Sequence, residues 1–514
     1  MNRLSLVLCF TANIFLVGCS CSINSQIGFD EHGRISPPSL NNNPQFDMIL
    51  TNNRPILSAN NPVHFPEIFS MDFELSKDSS FPQNQTIYYL GIKSKTRGIT
   101  EFQVKEGDEL SDGKYYWRAR TVDGDGNTSA WVQTRFDIDV KNSRTFSGYL
   151  RAKIKDIEVS SGEDAKNIID WNDQGQITFW NSAPSAGEPF SWVMFDMGKP
   201  MPVSRFWMLS TRETTPAAGW LKDFVWQSSN DKKKWVDIPG SKVVGNDSYR
   251  NIIDFEPVNT RYYRLAIFSQ NALQAQINVI IPYFKGQPKV PETPTGKYVL
   301  IIGNQMNGYT YTNLEKFVKK RGYKSLVVPH YEMSYDVFKK LKNKPMAMIF
   351  SGNNADWQNL PIFEYYGEYE IIRKNYDIPM MGICAGNEFM AMAYGVSFSH
   401  WMGGFDDTMF KISKGIDPDK VHIKEEFKND PIFAGLPNPF QAVEIHSWAI
   451  SPLFLKDKRY SEFLETAHSS YIQCIKSFKR DLYSEQFHGA VVNEYNQSGQ
   501  YLANFLKIAD EKAK

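Results

Sequence analysis

Cysteine is nearly absent from this chain, with five residues in 514, at positions 9, 19, 21, 384 and 474. Scattered and odd in number, they make no disulfide framework, and no Cys/His spacing suits a zinc site. No metal and no cofactor is therefore expected. Net charge is absent as well, with 57 basic residues against 57 acidic ones. No basic cluster interleaved with aromatics occurs, so the footprint of a nucleic-acid binder is excluded. Past the first residues, no stretch stays apolar for the roughly 18 positions a spanning helix needs. The length excludes a single core and predicts about three or four domains. Aromatic residues are plentiful at 14 %, which suits filled β-sandwich cores and also sugar-facing surfaces.

Taken in order, residues 1–18 read as an export segment, with Arg3 before a mostly apolar run from Leu4 to Val17. The run ends in Leu16-Val-Gly-Cys19, which resembles a bacterial lipobox. The resemblance implies cleavage before Cys19 and diacylation of its thiol; an ordinary signal peptide or a short anchor is the alternative. Ser20 follows, with no Asp to signal inner-membrane retention, so the outer membrane and cell surface are expected. Residues 19–46, rich in Ser, Asn, Pro and Gly, read as a tether. Residues 47–140 alternate as short strands and turns. In the strand Lys114–Val122, Tyr115, Trp117, Ala119 and Thr121 share one face, and Asp123-Gly-Asp-Gly-Asn127 is a turn. Tyr115-Tyr-Trp-Arg-Ala-Arg120 with Trp131 and Phe136 resembles a fibronectin type III sandwich, which implies a spacer.

Residues 146–286 form a second β-module. Trp180, Trp192-Val-Met-Phe-Asp-Met-Gly198, Gln227-Ser-Ser-Asn-Asp231, Trp235 and Arg261-Tyr-Tyr-Arg-Leu265 occur in the order of a discoidin, or coagulation-factor type C, domain, which this stretch resembles. The resemblance implies a jelly-roll sandwich and, as bacterial members often bind sugars, a glycan or glycoconjugate ligand. Trp171 and Trp220 are the aromatics that could stack on a sugar. Residues 287–296, proline-rich, read as a semi-rigid linker.

From residue 297 to 514 strands alternate with helical patterns: strand 297–302, helix 311–320, strand 325–328, strand 346–350 ending in Ser351-Gly-Asn-Asn354. The apolar run Ile378–Ile383 then predicts a buried strand, and a helical pattern starts by Asn387. Cys384 falls on the turn between them, flanked by Gly382 and Gly386. Small neighbours permit a sharp turn there, and a helix start favours thiolate. A lone Cys in an apolar segment is ordinarily inert core; the surrounding motifs argue otherwise.

Gly382-Ile-Cys-Ala-Gly-Asn-Glu388 and Tyr483-Ser-Glu-Gln-Phe-His488, with Asp430–Pro437 and Val443-Glu-Ile-His-Ser-Trp-Ala449 between them, resemble the segments of class I glutamine amidotransferases. The resemblance implies a flavodoxin-like α/β domain, so the whole chain is expected as two all-β sandwiches followed by α/β. It implies Cys384 as nucleophile and His488 as base. It also implies an oxyanion hole from the amides of Gly352, Asn353, Asn354 and Ala385, with His446 lining the pocket.

Two departures bear on activity. The family's substrate-contacting Gln is Glu388, and its His-Pro-Glu is His488-Gly489-Ala490, so the carboxylate that orients the His is missing. Glu494 could reach back as a third member or be a solvated surface residue. Three readings follow: a surface thiol hydrolase or amidase, which is favoured; a non-catalytic glycan-binding lipoprotein with a degenerate amidotransferase-like domain; and a secreted amidotransferase.

Overall fold

The structure is a computed structural model. It describes residues 35–513 except 39, 41–48, 51, 63–68, 94–98, 141–145, 147, 171–177, 183–189, 213–214, 217–218, 247, 311, 356–358, 395–397, 401–419, 447, 451–454, 456–461, 470–471 and 492–493. Cys19 and Trp171 lie outside the described residues. Residues 59–101 with 116–134 pack as one compact unit, and residues 41–58, 102–115 and 135–514 as another.

In the first unit, strand Ser70–Ser76 pairs antiparallel with Thr86–Ile92 on one side and with residues 116–122 on the other. The predicted alternation holds: Trp117, Ala119 and Thr121 are fully buried. On the opposite face Arg118 pairs with Glu74 at 2.6 Å and Arg120 with Asp72 at 3.0 Å. Both guanidiniums stack on Trp131. The Asp123 turn also forms, its carboxylate accepting from the amides of Asp125 and Asn127.

In the second unit, the long strands Ser191–Leu209 and Arg250–Gln270 run antiparallel at the centre of a seven-stranded sheet. Their inward residues build a core of large aromatics, with Phe206 stacked on Trp226 and edge-on to Tyr263. This is why residues spaced far apart in sequence read as one module: they are its packed interior.

The α/β domain contains β1 (Tyr298–Gly303), α1 (Thr312–Lys320), β2 (Lys324–Pro329), α2 (Tyr335–Lys339), β3 (Ala347–Phe350), α3 (Tyr366–Lys374), β4 (Met380–Ile383), α4 (Ala385–Met392), β5 (Lys420–Ile423), β6 (Phe440–Gln441), β7 (Phe463–His468), β8 (Ile472–Ser477), β9 (Leu482–Glu485) and α5 (Gly499–Lys512). The sheet order is β2-β1-β3-β4-β9-β8-β7-β5-β6. Pairing is parallel from β2 through β9 and antiparallel from β9 through β6. The strands β1, β3 and β4 are buried throughout, as expected of parallel strands covered on both faces. The expected strand at 378–383 begins at Met380 instead, because the side-chain amide of Asn375 takes the Ile378 carbonyl.

The linker is held against the α/β domain. Asn343 donates its side-chain amide to Pro294 and its backbone amide to Thr293, and Lys324 reaches the Thr295 carbonyl. A buried cluster also ties the second β-module to this domain. Arg151 grips both carboxylate oxygens of Glu364 at 2.7 and 2.6 Å, and donates to the Met306 carbonyl at 2.6 Å. The Tyr283 hydroxyl donates to Glu364 at 2.7 Å, and His330 Nε2 lies 3.1 Å from it. Burial alone would raise the Glu364 carboxyl, but the Arg151 charge and these hydrogen bonds hold it at about 2.

Candidate active site

Cys384 sits between β4 and α4 with φ 54° and ψ −113°. A non-glycine residue with positive φ is strained, and such strain gathers where a side chain must be presented. The flanking glycines are required by space. A Cβ on Gly382 would stand 2.5 Å from the Gly386 carbonyl oxygen, and one on Gly386 would stand 2.0 Å from the Phe350 oxygen. The turn is pinned to β9 by the Cys384 amide, which donates to the Glu485 carbonyl at 2.8 Å. The helix starts at Ala385, earlier than the pattern around Asn387 predicts.

The sulfur faces two backbone amides, those of Ala385 and Asn353. Both amides belong to the set expected to form an oxyanion hole, and of the loop after β3 only Asn353 is among them. That residue is well held. The Asn353 side chain donates to the Asn304 carbonyl and to the Tyr365 hydroxyl, and accepts from the Ala355 amide. Gly352 is buried and Asn354 half-buried.

The expectation that the helix start makes Cys384 a thiolate is corrected. Burial is the largest effect and Glu388 adds to it; together they push the thiol well above its ordinary value despite the two amides. Glu388, in the first turn of α4, is itself buried and accepts from Gln486 Nε2 at 2.9 Å. Gln486 is oriented in turn by Asn387 at 2.6 Å, and Asn387 by Ser484 at 2.6 Å.

His488 follows β9, and its backbone amide donates to the Val443 carbonyl at 2.8 Å. Its Nε2 lies 3.4 Å from the Ile445 carbonyl oxygen, and the Cys384 sulfur lies 3.8 Å from the same oxygen. Thiol and imidazole therefore converge on one acceptor, at the carboxyl ends of neighbouring parallel strands, where open α/β sheets place ligands. Burial first, then the charge of His446, lower His488 to about 4, while the Ile445 carbonyl works against them. At neutral pH the ring is an unprotonated base.

Of the other expected residues, Glu494 is exposed and its carboxylate engages the Tyr495 hydroxyl. It is a surface residue and is withdrawn as the third member. His446 is buried and close enough to influence His488. Trp220 is half-buried, and its indole nitrogen is enclosed without a hydrogen-bond partner.

Sequence reasoning misses two carboxyls. Glu444 pairs with His446 at 3.3 Å; the i, i+2 spacing in Glu444-Ile-His446 is the available signal, since extended backbone puts both on one face. Glu485 is fully buried beneath the His488 loop. One oxygen accepts from the Gly489 amide at 2.9 Å, and the other has no partner. Burial pushes this carboxyl up to about 8. The native state then holds a proton that the unfolded chain has lost between the two values, so stability falls as pH rises through this window. Relative to Glu485→Gln, the native protein is expected to lose about 3 kcal/mol between pH 5 and pH 8. Denaturant titrations of both proteins across that range check it; parallel curves would contradict it.

Residues 153–278 match the model of the F5/8 type C domain, and residues 305–508 that of class-I glutamine amidotransferase. The chain thus carries a discoidin-type β-sandwich and a class I glutamine amidotransferase domain. Relatives of the latter include a glutamine-hydrolyzing GMP synthase subunit of Archaeoglobus fulgidus, 29 % identical over 150 residues, 29 % of this chain and 71 % of that one. The corresponding protein of Thermoplasma volcanium is 28 % identical over 214 residues, 40 % of this chain and 90 % of that one. Among solved structures, a protein described as a GMP synthase subunit from Thermoplasma acidophilum aligns with 20 % identity and a TM-score of 0.33 over 43 % of this chain and 98 % of its own. A chitosan-binding module from Paenibacillus, solved with chitotriose, aligns with 19 % identity and a TM-score of 0.22 over 26 % and 98 %.

Proposed function

We propose that this chain is a surface thiol hydrolase or amidase, anchored through a lipidated Cys19 at the outer membrane and directed by its discoidin-type module to a glycan or glycoconjugate. One observation carries the catalytic part: Cys384, on a strained turn with the Ala385 and Asn353 amides at its sulfur, shares the Ile445 carbonyl with the neutral ring of His488. Because the thiol keeps its proton at rest, His488 takes that proton as the sulfur attacks the amide carbon. The S–C bond forms, and the carbonyl oxygen becomes an oxyanion against the two amides. Collapse breaks the C–N bond, the amine leaves with the proton from His488, and water then hydrolyses the thioester. Glu388, where glutamine-specific members have Gln, makes the pocket acidic. That disfavours free glutamate-like ligands and favours an amide carrying a hydrogen-bond donor or a cation.

The glycan reading rests on the F5/8 type C match over residues 153–278. In this reading the segment 47–140, which resembles a fibronectin type III module in sequence, serves as spacer. No described helix is long and apolar enough to cross a membrane, so in this reading the anchor is the lipid. The test is release of ammonia or amine from glutamine, γ-glutamyl amides and aminoacyl amides, with wild type set against Cys384→Ala. At least one amide should be turned over about 1,000-fold faster by wild type. Equal rates on every member would remove the hydrolase reading. The second reading, a non-catalytic glycan-binding lipoprotein, is favoured by the burial that keeps Cys384 protonated.

A further inference from the structure

We infer that Tyr365 is a positioning residue for the oxyanion donor Asn353, and that the discoidin-type module holds Tyr365 in place through the adjacent Glu364. The inference deepens the hydrolase reading and rests on it. Two residues of the module make the grip. Arg151 and Tyr283 stand directly opposite each other on the paired antiparallel strands Tyr149–Arg151 and Val279–Lys285, so guanidinium and phenol leave the same face of the sheet. Both donate to the Glu364 carboxylate. Arg151 also donates to the Met306 carbonyl and stacks on the Tyr331 ring at 3.9 Å. Met306 follows β1, Tyr331 follows β2 and Glu364 follows β3. The module therefore grips the loops at the carboxyl ends of three adjacent parallel strands, which is where the site is built.

From Glu364 the contacts continue to the sulfur. Glu364 and Tyr365 are consecutive in one helical turn, Ile362–Tyr365, and both are buried. His330 places Nε2 3.1 Å from Glu364 and lays its ring flat against Tyr365, with centroids 4.0 Å apart. Phe389 of α4 stacks on Tyr365 as well, at 4.3 Å. The phenol held this way donates to the Asn304 carbonyl at 3.0 Å and accepts from Asn353 Nδ2 at 3.0 Å. Asn353 Nδ2 gives its second proton to the same Asn304 carbonyl. The Asn353 backbone amide then faces the Cys384 sulfur.

A hydroxyl suits this place because it gives one hydrogen bond and takes another. Phenylalanine would keep the ring stack and leave Asn353 Nδ2 with one acceptor fewer. An oxyanion donor contributes to rate through being fixed before the reaction, so loosening Asn353 should be felt in turnover. A clamp that only joins two modules predicts otherwise. In Arg151→Met/Glu364→Leu, apolar groups replace the buried ions, so much of the stability is kept. The hydrogen bonds from the module to the Glu364 turn and to Met306 are nevertheless gone. Only the positioning account expects that variant to loosen the loop at Asn353.

The test is hydrogen exchange on the full chain without substrate, read by mass spectrometry on the peptide carrying Ser351–Asn354. Tyr365→Phe should speed exchange there about 10-fold, and Arg151→Met/Glu364→Leu should do so comparably. For the amide that wild type turns over, both variants should lower kcat about 10-fold with KM unchanged, because the donor acts on the oxyanion alone. Arg261→Gln breaks the Asp196 pair elsewhere in the module and should change neither reading. Unchanged exchange in a folded Tyr365→Phe protein overturns the inference, as does a folded double variant whose loop exchanges as slowly as wild type. If the double variant fails to fold, Tyr283→Phe, which removes one hydroxyl from Glu364, takes its place with the same two outcomes. A wild type that turns over no amide would sink the hydrolase reading, and exchange would still decide whether the module holds the loop.

Discussion

Gly386→Ala is expected to destabilise the α/β domain by about 3 kcal/mol or more and to abolish labelling of Cys384. The added Cβ would lie 2.0 Å from the Phe350 carbonyl oxygen. That oxygen belongs to β3, whose neighbours β1 and β4 pair with it on either side, so no flexible side chain can yield. Either the start of α4 moves away from the sheet or β3 does. In both cases the Asn353 amide, three residues beyond Phe350, loses its place at the sulfur. Denaturant unfolding of the variant checks the energy, and a stability within about 1 kcal/mol of wild type would contradict the close approach.

The second large effect concerns the cluster at Arg151. Arg151→Met should cost about 3–5 kcal/mol, because it strands the Glu364 carboxylate in a site where both side chains are at most 5 % exposed. The loss should exceed anything expected from a surface pair, which contributes about 1 kcal/mol or less. Adding Glu364→Leu to Arg151→Met should recover much of the stability, since replacing both ions by apolar groups removes the stranded charge. The wild-type carboxyl is held at about 2, below its unfolded value. Its contribution is therefore present above the unfolded value and is lost as pH falls towards 2. Calorimetry of the two variants at neutral pH decides; additive losses would mean that the ions act independently.

Much of this arrangement is legible in the sequence. The strand at Tyr115–Thr121 can be placed because its faces alternate strictly between core and surface. The elbow at Cys384 can be placed because apolar run, glycines and helical spacing follow one another within a few residues. Four of the five parallel strands, β1 to β4, are legible for a related reason, since each carries a short apolar run; β9, Leu482-Tyr-Ser-Glu485, does not.

What is not legible depends on long-range burial. Arg151 and Glu364 are 213 positions apart and in different modules, and nothing local marks either as buried. Glu485 reads as an ordinary strand-end carboxylate, yet it lies under a loop where only Gly489 leaves room for it: a Cβ there would meet both carboxylate oxygens at 3.0 Å. The state of Cys384 is misjudged from sequence because helix-start stabilisation is modest beside complete burial and a neighbouring carboxylate. Motif spacing locates the nucleophile; it does not report the dielectric around it.

The most direct test of the central claim is the rate at which iodoacetamide modifies each cysteine at neutral pH, resolved by peptide mass mapping, in wild type and in His488→Asn. Cys474 is the natural reference, being fully buried within β8 and also raised by burial. If Cys384 and His488 form a working pair, Cys384 is modified well before Cys474, and His488→Asn slows Cys384 by about 100-fold while leaving Cys474 unchanged. Equal rates at the two thiols, or a Cys384 rate indifferent to His488, would contradict the account.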